Sequence, residues 1–154
     1  MVEYGFHTVR GYQLLQEHQK TLTSALEDYL EMIYREIRRE GYVRIATLAD
    51  KLHVTPPSAT KMAQKLGALG FVEYQKYGIL RLTEKGEELG EYLLWRHDTI
   101  VRFFCMALGE REIAFIEAEL AEHVLGQESV EFLGKLATFF EQNPEMWRKF
   151  ISGK

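Results

Sequence analysis

Three short stretches carry side chains that could do chemistry together. Asp28 and Glu31 stand one helical turn apart, His97 sits in "WRHD", and "AELAEH" collects Glu119, Glu122 and His123 within five residues. Carboxylates and imidazoles in this number can ligate a hard divalent cation or exchange protons. Taken singly, each stretch reads more simply as solvated acids or as a histidine packed beside Leu93, Ile100 and Phe104. Residues 110 to 131 alone carry seven glutamates, as an acidic surface would.

The elements that must position these groups can be read from periodicity and capping. Ser24 followed by Glu27 fits a capping box, and Leu26, Leu30, Ile33 and Ile37 form one apolar stripe before Gly41. Asp28 and Glu31 point away from that stripe. A short helix follows over about 46 to 52, then a tight turn. A second helix follows, capped by Thr55 with Pro56 at its first position, where a missing N–H costs nothing. Ala59, Met62, Ala63 and Leu66 face its interior. "FVEYQKYGILRLT" reads as two strands around a turn at 76 to 78. Helix, helix, turn, helix and hairpin make a winged helix-turn-helix.

Beyond Thr83 the pattern is all helical: one long helix to about Gly109, a second over 110 to 125, and a third over 129 to 142, before Asn143-Pro144. The expected fold is therefore mainly α, a winged-helix domain over 21 to 83 joined to a helical dimerisation domain over 84 to 154. Residues 1 to 20 form an extension without an assigned role. On the second helix of this helical unit, Ile113, Ile116, Leu120 and Val124 form a stripe. On a wheel centred at Leu120, Glu119 and His123 flank it and Glu122 lies further round. With Phe132, Leu136, Phe139 and Phe140, this is more apolar surface than a small unit can bury, and a homodimer is the economical cover.

Charge divides along the same boundary. The whole chain of 154 residues has a formal charge of -4, but residues 41 to 85 hold seven Lys/Arg against three acids, a balance of +4 that leaves -8 elsewhere. A basic module joined to an acidic one puts phosphate contacts on the winged helix. Pro57, Ser58, Thr60, Lys61, Gln64 and Lys65 on the second helix, with Lys76 and Tyr77 at the wing tip, are the candidate contacts to double-stranded DNA: hydroxyls and amides read base edges while lysines meet phosphates. No run approaches the ~18 apolar residues of a membrane span, and the N-terminus has no basic region followed by an apolar one. The expected location is the cytoplasm. A single cysteine, Cys105, excludes an internal disulfide and multi-cysteine zinc patterns, and among Phe103, Phe104 and Met106 it reads as a buried thiol.

"SALEDYLEMIY", "TPPSATKMAQKL", "YQKYGILRLTEKG", "WRHD" and "IEAELAEH" together resemble the manganese transport regulators of the diphtheria toxin repressor family, over about residues 22 to 142. The resemblance implies a metal-dependent transcription regulator, a repressor rather than an enzyme, whose metal ligands fall on Asp28, Glu31, His97, Glu119, Glu122 and His123. It also implies metal-transport genes as targets. The iron-responsive branch has Met in place of Asp28 and Cys in place of Glu119. Four carboxylates and two imidazoles suit Mn2+, and two ions per subunit would balance the carboxylate charge, although Fe2+, Cd2+, Co2+ or Zn2+ can use the same donors. The wing departs from the family pattern: Gly78-Ile79 stands where an Arg-Gly pair is common. No SH3-like third domain is expected after Trp147. Two other functions stay open on residues alone, a carboxylate-bridged di-metal enzyme and a metal-free winged-helix interaction protein. The enzyme reading is weakened because Glu119, Glu122 and His123 do not give Glu-x-x-His on two helices.

Overall fold

The computed structural model describes residues 22–153; the N-terminal extension assigned to 1 to 20 lies outside the described residues. The order is α1 (Ser24–Glu40), β1 (Val43–Arg44), α2 (Ile45–Lys51), α3 (Pro56–Ala68), β2 (Val72–Gln75), a 3-10 turn (Lys76–Gly78), β3 (Ile79–Leu82), α4 (Glu84–Leu108), α5 (Arg111–Ala121), α6 (Gln127–Gln142) and α7 (Pro144–Ser152). The chain is mainly α, with a winged helix-turn-helix followed by a helical unit.

Local signals explain most boundaries. Thr55 accepts a hydrogen bond from the Ser58 amide with Pro56 following, and Thr83 accepts one from the Gly86 amide to open α4. Gly41 ends α1 in the left-handed conformation at φ 80°, which costs a residue without Cβ nothing. Five expectations need correction. The cap of α1 is Thr23, which accepts from the Leu26 amide, and Ser24 is already helical. β1 is too short to register as a pattern, yet it pairs with β3 and completes a sheet of order β1-β3-β2. α5 stops at Ala121, so Glu122 and His123 belong to the turn beyond it. A further helix, α7, starts at Pro144. Cys105 is half-buried rather than buried.

The larger core joins Leu26, Leu30 and Ile33 of α1 to Leu48, Ala59, Ala63, Leu66, Phe71, Leu80 and Leu93. A smaller one joins Ile100, Ala118 and Val130. Leu93 and Ile100 both lie on α4, so this one helix is shared by the two units. Its close approach to α1 depends on Gly90, where a Cβ would stand 2.7 Å from the Cβ of Tyr34. No helix among the described residues is long and apolar enough to cross a membrane.

Candidate metal centre

The polar groups converge because α1, α4 and the end of α5 meet at one point. On α1, Leu26, Leu30 and Ile33 take the core face, while Glu27 and Glu31, one turn apart, take the adjoining face beside α4. On α4, Arg96 and His97 are both buried. On α5, the buried row is Ala114 and Ala118; Glu122 continues that row one turn further on and is only 1% exposed. The wheel centred on Leu120 thus had the wrong inner face. The large residues Ile113, Ile116, Leu120 and Val124 are all exposed, and the small alanines pack inward. Small side chains let α5 sit close to α4, which carries Glu122 into the interior.

All six predicted ligand residues lie in this region. Asp28, Glu122 and His123 each offer a ligand atom within 4.8 Å of the others, and so do Glu31, His97 and Glu122. Glu122 belongs to both groups. His97 Nδ1 lies 3.0 Å from Glu122 Oε2 and 3.5 Å from Glu119 Oε1. His123 Nε2 lies 3.1 Å from Asp28 Oδ1 and 3.6 Å from Glu122 Oε1. Glu119 is exposed at the rim, Asp28 is half-buried, and Glu31 and His97 are buried. Oxygen and imidazole donors gathered at such distances fit a divalent cation, and a carboxylate common to both groups fits two neighbouring cations.

Cations of the chain itself stand beside these acids. Arg35 donates to Glu31 Oε1 from Nε at 2.8 Å and from Nη2 at 2.6 Å. Burial raises the Glu31 pKa, and the Arg35 charge and hydrogen bond offset this only in part. Hydrogen bonding to Glu122 raises His97 above its usual value, against the opposing effect of burial. His123 is pushed up to about 10, first by its hydrogen bond to Asp28 and then by that to Glu27. In this arrangement the two histidines engage the carboxylates that a metal would otherwise hold.

Sequence reasoning missed Glu27, Arg35 and Arg96. Glu27 Oε2 accepts from His123 Nδ1 at 2.8 Å and from Arg96 Nη2 at 2.8 Å. Burial alone would raise Glu27, but those two hydrogen bonds and the nearby positive charges outweigh it and hold the carboxyl low. The available signal was the spacing of Glu27 four residues before Glu31, a pair that must share a helix face.

Of the eight candidate DNA contacts, seven are exposed and Thr60 is half-buried. The Thr60 hydroxyl donates to the Pro56 carbonyl at 2.9 Å, and Ser58 Oγ lies 2.9 Å from Thr55 Oγ1, so both hydroxyls already have local partners. Tyr77, at φ 65°, is 88% exposed at the wing tip.

Comparison with known proteins assigns this architecture. Residues 21–80 match the iron dependent repressor N-terminal DNA binding domain, and residues 83–148 match the iron dependent repressor metal binding and dimerisation domain. The chain belongs to the iron-dependent repressor family. Within that family it is 38% identical over 132 residues to the HTH-type transcriptional regulator MntR of Lysinibacillus sphaericus (strain C3-41), covering 86% of this chain and 95% of the relative. It is 38% identical over 123 residues to MntR of Bacillus pumilus (strain SAFR-032), covering 80% and 85%. Among solved structures, the manganese regulator SloR aligns with a TM-score of 0.65 at 30% identity, over 74% of this chain and 54% of that one. The metal-dependent transcriptional regulator MtsR aligns with a TM-score of 0.68 at 29% identity, over 77% and 55%. The chain spans about half the length of these solved structures. It is a metal-dependent DNA-binding transcription regulator by family, and the two matched domains meet at the start of α4.

Proposed function

We propose that this protein is a Mn2+-responsive transcription repressor that works as a cytoplasmic homodimer on double-stranded operator DNA and controls metal-transport genes. The observation that carries the reading is that two groups of ligand atoms share Glu122 and draw on α1, α4 and the turn after α5, from both units. Asp28, Glu31, His97, Glu119, Glu122 and His123 would hold the metal, with room in the donor set for two ions per subunit. Fe2+, Cd2+, Co2+ and Zn2+ are compatible with the same donors. Bound ions would supply positive charge between the carboxylates in place of their present contacts to the two histidines.

Asp28 and Glu31 lie on α1, whose other face packs in the core that carries α3. Glu119, Glu122 and His123 lie at the end of α5, whose outer stripe is the apolar surface open to a second copy. Holding the two sets together limits how α1, and hence α3, can move relative to the dimer axis. Two recognition helices must reach major grooves roughly 34 Å apart, so restricting their separation favours DNA binding. Residues 21–83 act as the DNA-binding unit in this reading and 84–154 as the metal-binding and dimerisation unit. Pro57, Ser58, Thr60, Lys61, Gln64 and Lys65 of α3 and Lys76 and Tyr77 of the wing contact the duplex. The family consists of transcription regulators, which favours DNA binding over catalysis at a di-metal centre.

The test is fluorescence anisotropy with an operator duplex selected from random-sequence DNA by the Mn2+-loaded protein. Allosteric coupling typically amounts to about 1–3 kcal/mol, so chelation should weaken operator binding by roughly 5- to 150-fold. Coupling is reciprocal, and the duplex must tighten Mn2+ binding by the same factor. Equal operator affinity with and without Mn2+ ends the reading.

A further inference from the structure

The two histidines of the centre present different nitrogens to it. His97 meets Glu122 and Glu119 through Nδ1, whereas His123 meets Asp28 and Glu122 through Nε2. An imidazole ring can be turned over or carry its proton on either nitrogen, and something must select between these states. For His123 that selection has a visible source. Its Nδ1 faces Glu27 Oε2 at 2.8 Å. An ionised carboxylate only accepts, so Nδ1 carries the hydrogen and Nε2 is the nitrogen turned toward Asp28 and Glu122. Arg96 Nη2 also lies 3.5 Å from Nδ1, but two donors cannot bond each other, and Glu27 is the partner that both share.

Arg96 in turn secures Glu27. Arg96 is 5% exposed and its Nη2 donates to Glu27 Oε2 at 2.8 Å, while its Nε has no hydrogen-bond partner among the described residues. A buried cation of this kind needs a counter-charge, and the carboxylate it faces is thereby kept available to His123. The chain of contacts runs from α4 through α1 to the turn after α5, linking all three ligand-bearing elements.

From this geometry we infer that Glu27, backed by Arg96, is a positioning residue that orients His123 so that Nε2 is its metal-binding atom. Neither residue offers an atom to either ligand group. The inference rests on the metal site proposed above, and its test separates the two.

The test uses the full chain and its Glu27→Ala and Glu27→Gln variants. Isothermal titration with Mn2+ reads affinity, and 15N NMR of the histidine rings in the Zn2+-loaded protein reads which nitrogen is bound. Losing such an outer partner commonly weakens metal binding by about 10- to 100-fold. Glu27→Ala should show that loss at the position formed by Asp28, Glu122 and His123, while the position formed by Glu31, His97 and Glu122 changes little. Glutamine keeps a neutral oxygen acceptor for Nδ1–H, so Glu27→Gln should recover most of the affinity. The wild-type spectrum should show His123 bound through Nε2 with hydrogen on Nδ1. Unchanged Mn2+ affinity in folded Glu27→Ala, or a His123 bound through Nδ1, overturns the inference while leaving the metal site intact. Absence of Mn2+ binding in the wild type overturns both.

Discussion

Leu120→Ala tests whether the outer face of α5 is the surface that pairs two copies. Leu120 is 73% exposed and lies in a row with Ile113, Ile116 and Val124, all exposed, while its neighbour Ala118 takes the inner face. Truncation therefore removes little from the fold of one chain, and alanine favours the helix. The effect falls on association. Fully burying a leucine side chain contributes about 1.5–3 kcal/mol, and with most of Leu120 still open to solvent, about 2 kcal/mol of this is at stake in each copy. A twofold interface uses the same patch twice, so the variant should lose about 4 kcal/mol of dimer stability. That is roughly a thousandfold in the dissociation constant. Sedimentation equilibrium across a wide concentration range reads this directly, with thermal unfolding of the monomer as the control. Operator affinity should fall in parallel, because one recognition helix cannot bridge two major grooves. Equal dissociation constants for variant and wild type would refute the assignment of this face.

Glu122→Gln removes the carboxylate common to both ligand groups and should abolish both Mn2+ equivalents in a titration, whereas Asp28→Asn should abolish one and leave the other. Stability of the metal-free protein should fall as pH rises. The hydrogen bonds to Asp28 and Glu27 push His123 up to about 10 from an ordinary value of 6.5, so its protonated form favours the folded state. That contribution is complete below pH 6.5 and disappears as the pH passes 10. His97, also raised, acts in the same direction. The urea midpoint should be lower at pH 9.5 than at pH 6, and a midpoint that rises would contradict the His123 ion pairs. Lys61→Ala and Lys65→Ala should weaken binding to all duplexes alike and each reduce the salt dependence by about one unit, because a phosphate contact carries no sequence information.

What the linear chain determined by itself is whatever depends on neighbours close along it. Thr55 and Pro56 start α3, Thr83 starts α4 and Gly41 stops α1, since each acts on its own turn of backbone. The alternation in 71 to 82 specifies the wing for the same reason, and the excess of lysine and arginine between 41 and 85 is a sum over side chains that needs no coordinates. Resemblance to a known family supplied the six ligand candidates, which periodicity alone left as three separate acidic or histidine patches.

Only the tertiary structure decided which faces point where. Periodicity identifies an apolar stripe but not what covers it, and on α5 the larger residues turn outward while Ala114 and Ala118 take the interior. That choice buries Glu122, which the wheel had placed away from the packed surface. The end of α5 at Ala121 has no glycine or proline to announce it. The pairing of Glu27 with Arg96 and His123 spans 69 and 96 residues of chain. Contacts at such separations exist only once α1, α4 and α5 have packed, because each residue looks like an ordinary surface charge until a partner from another helix arrives.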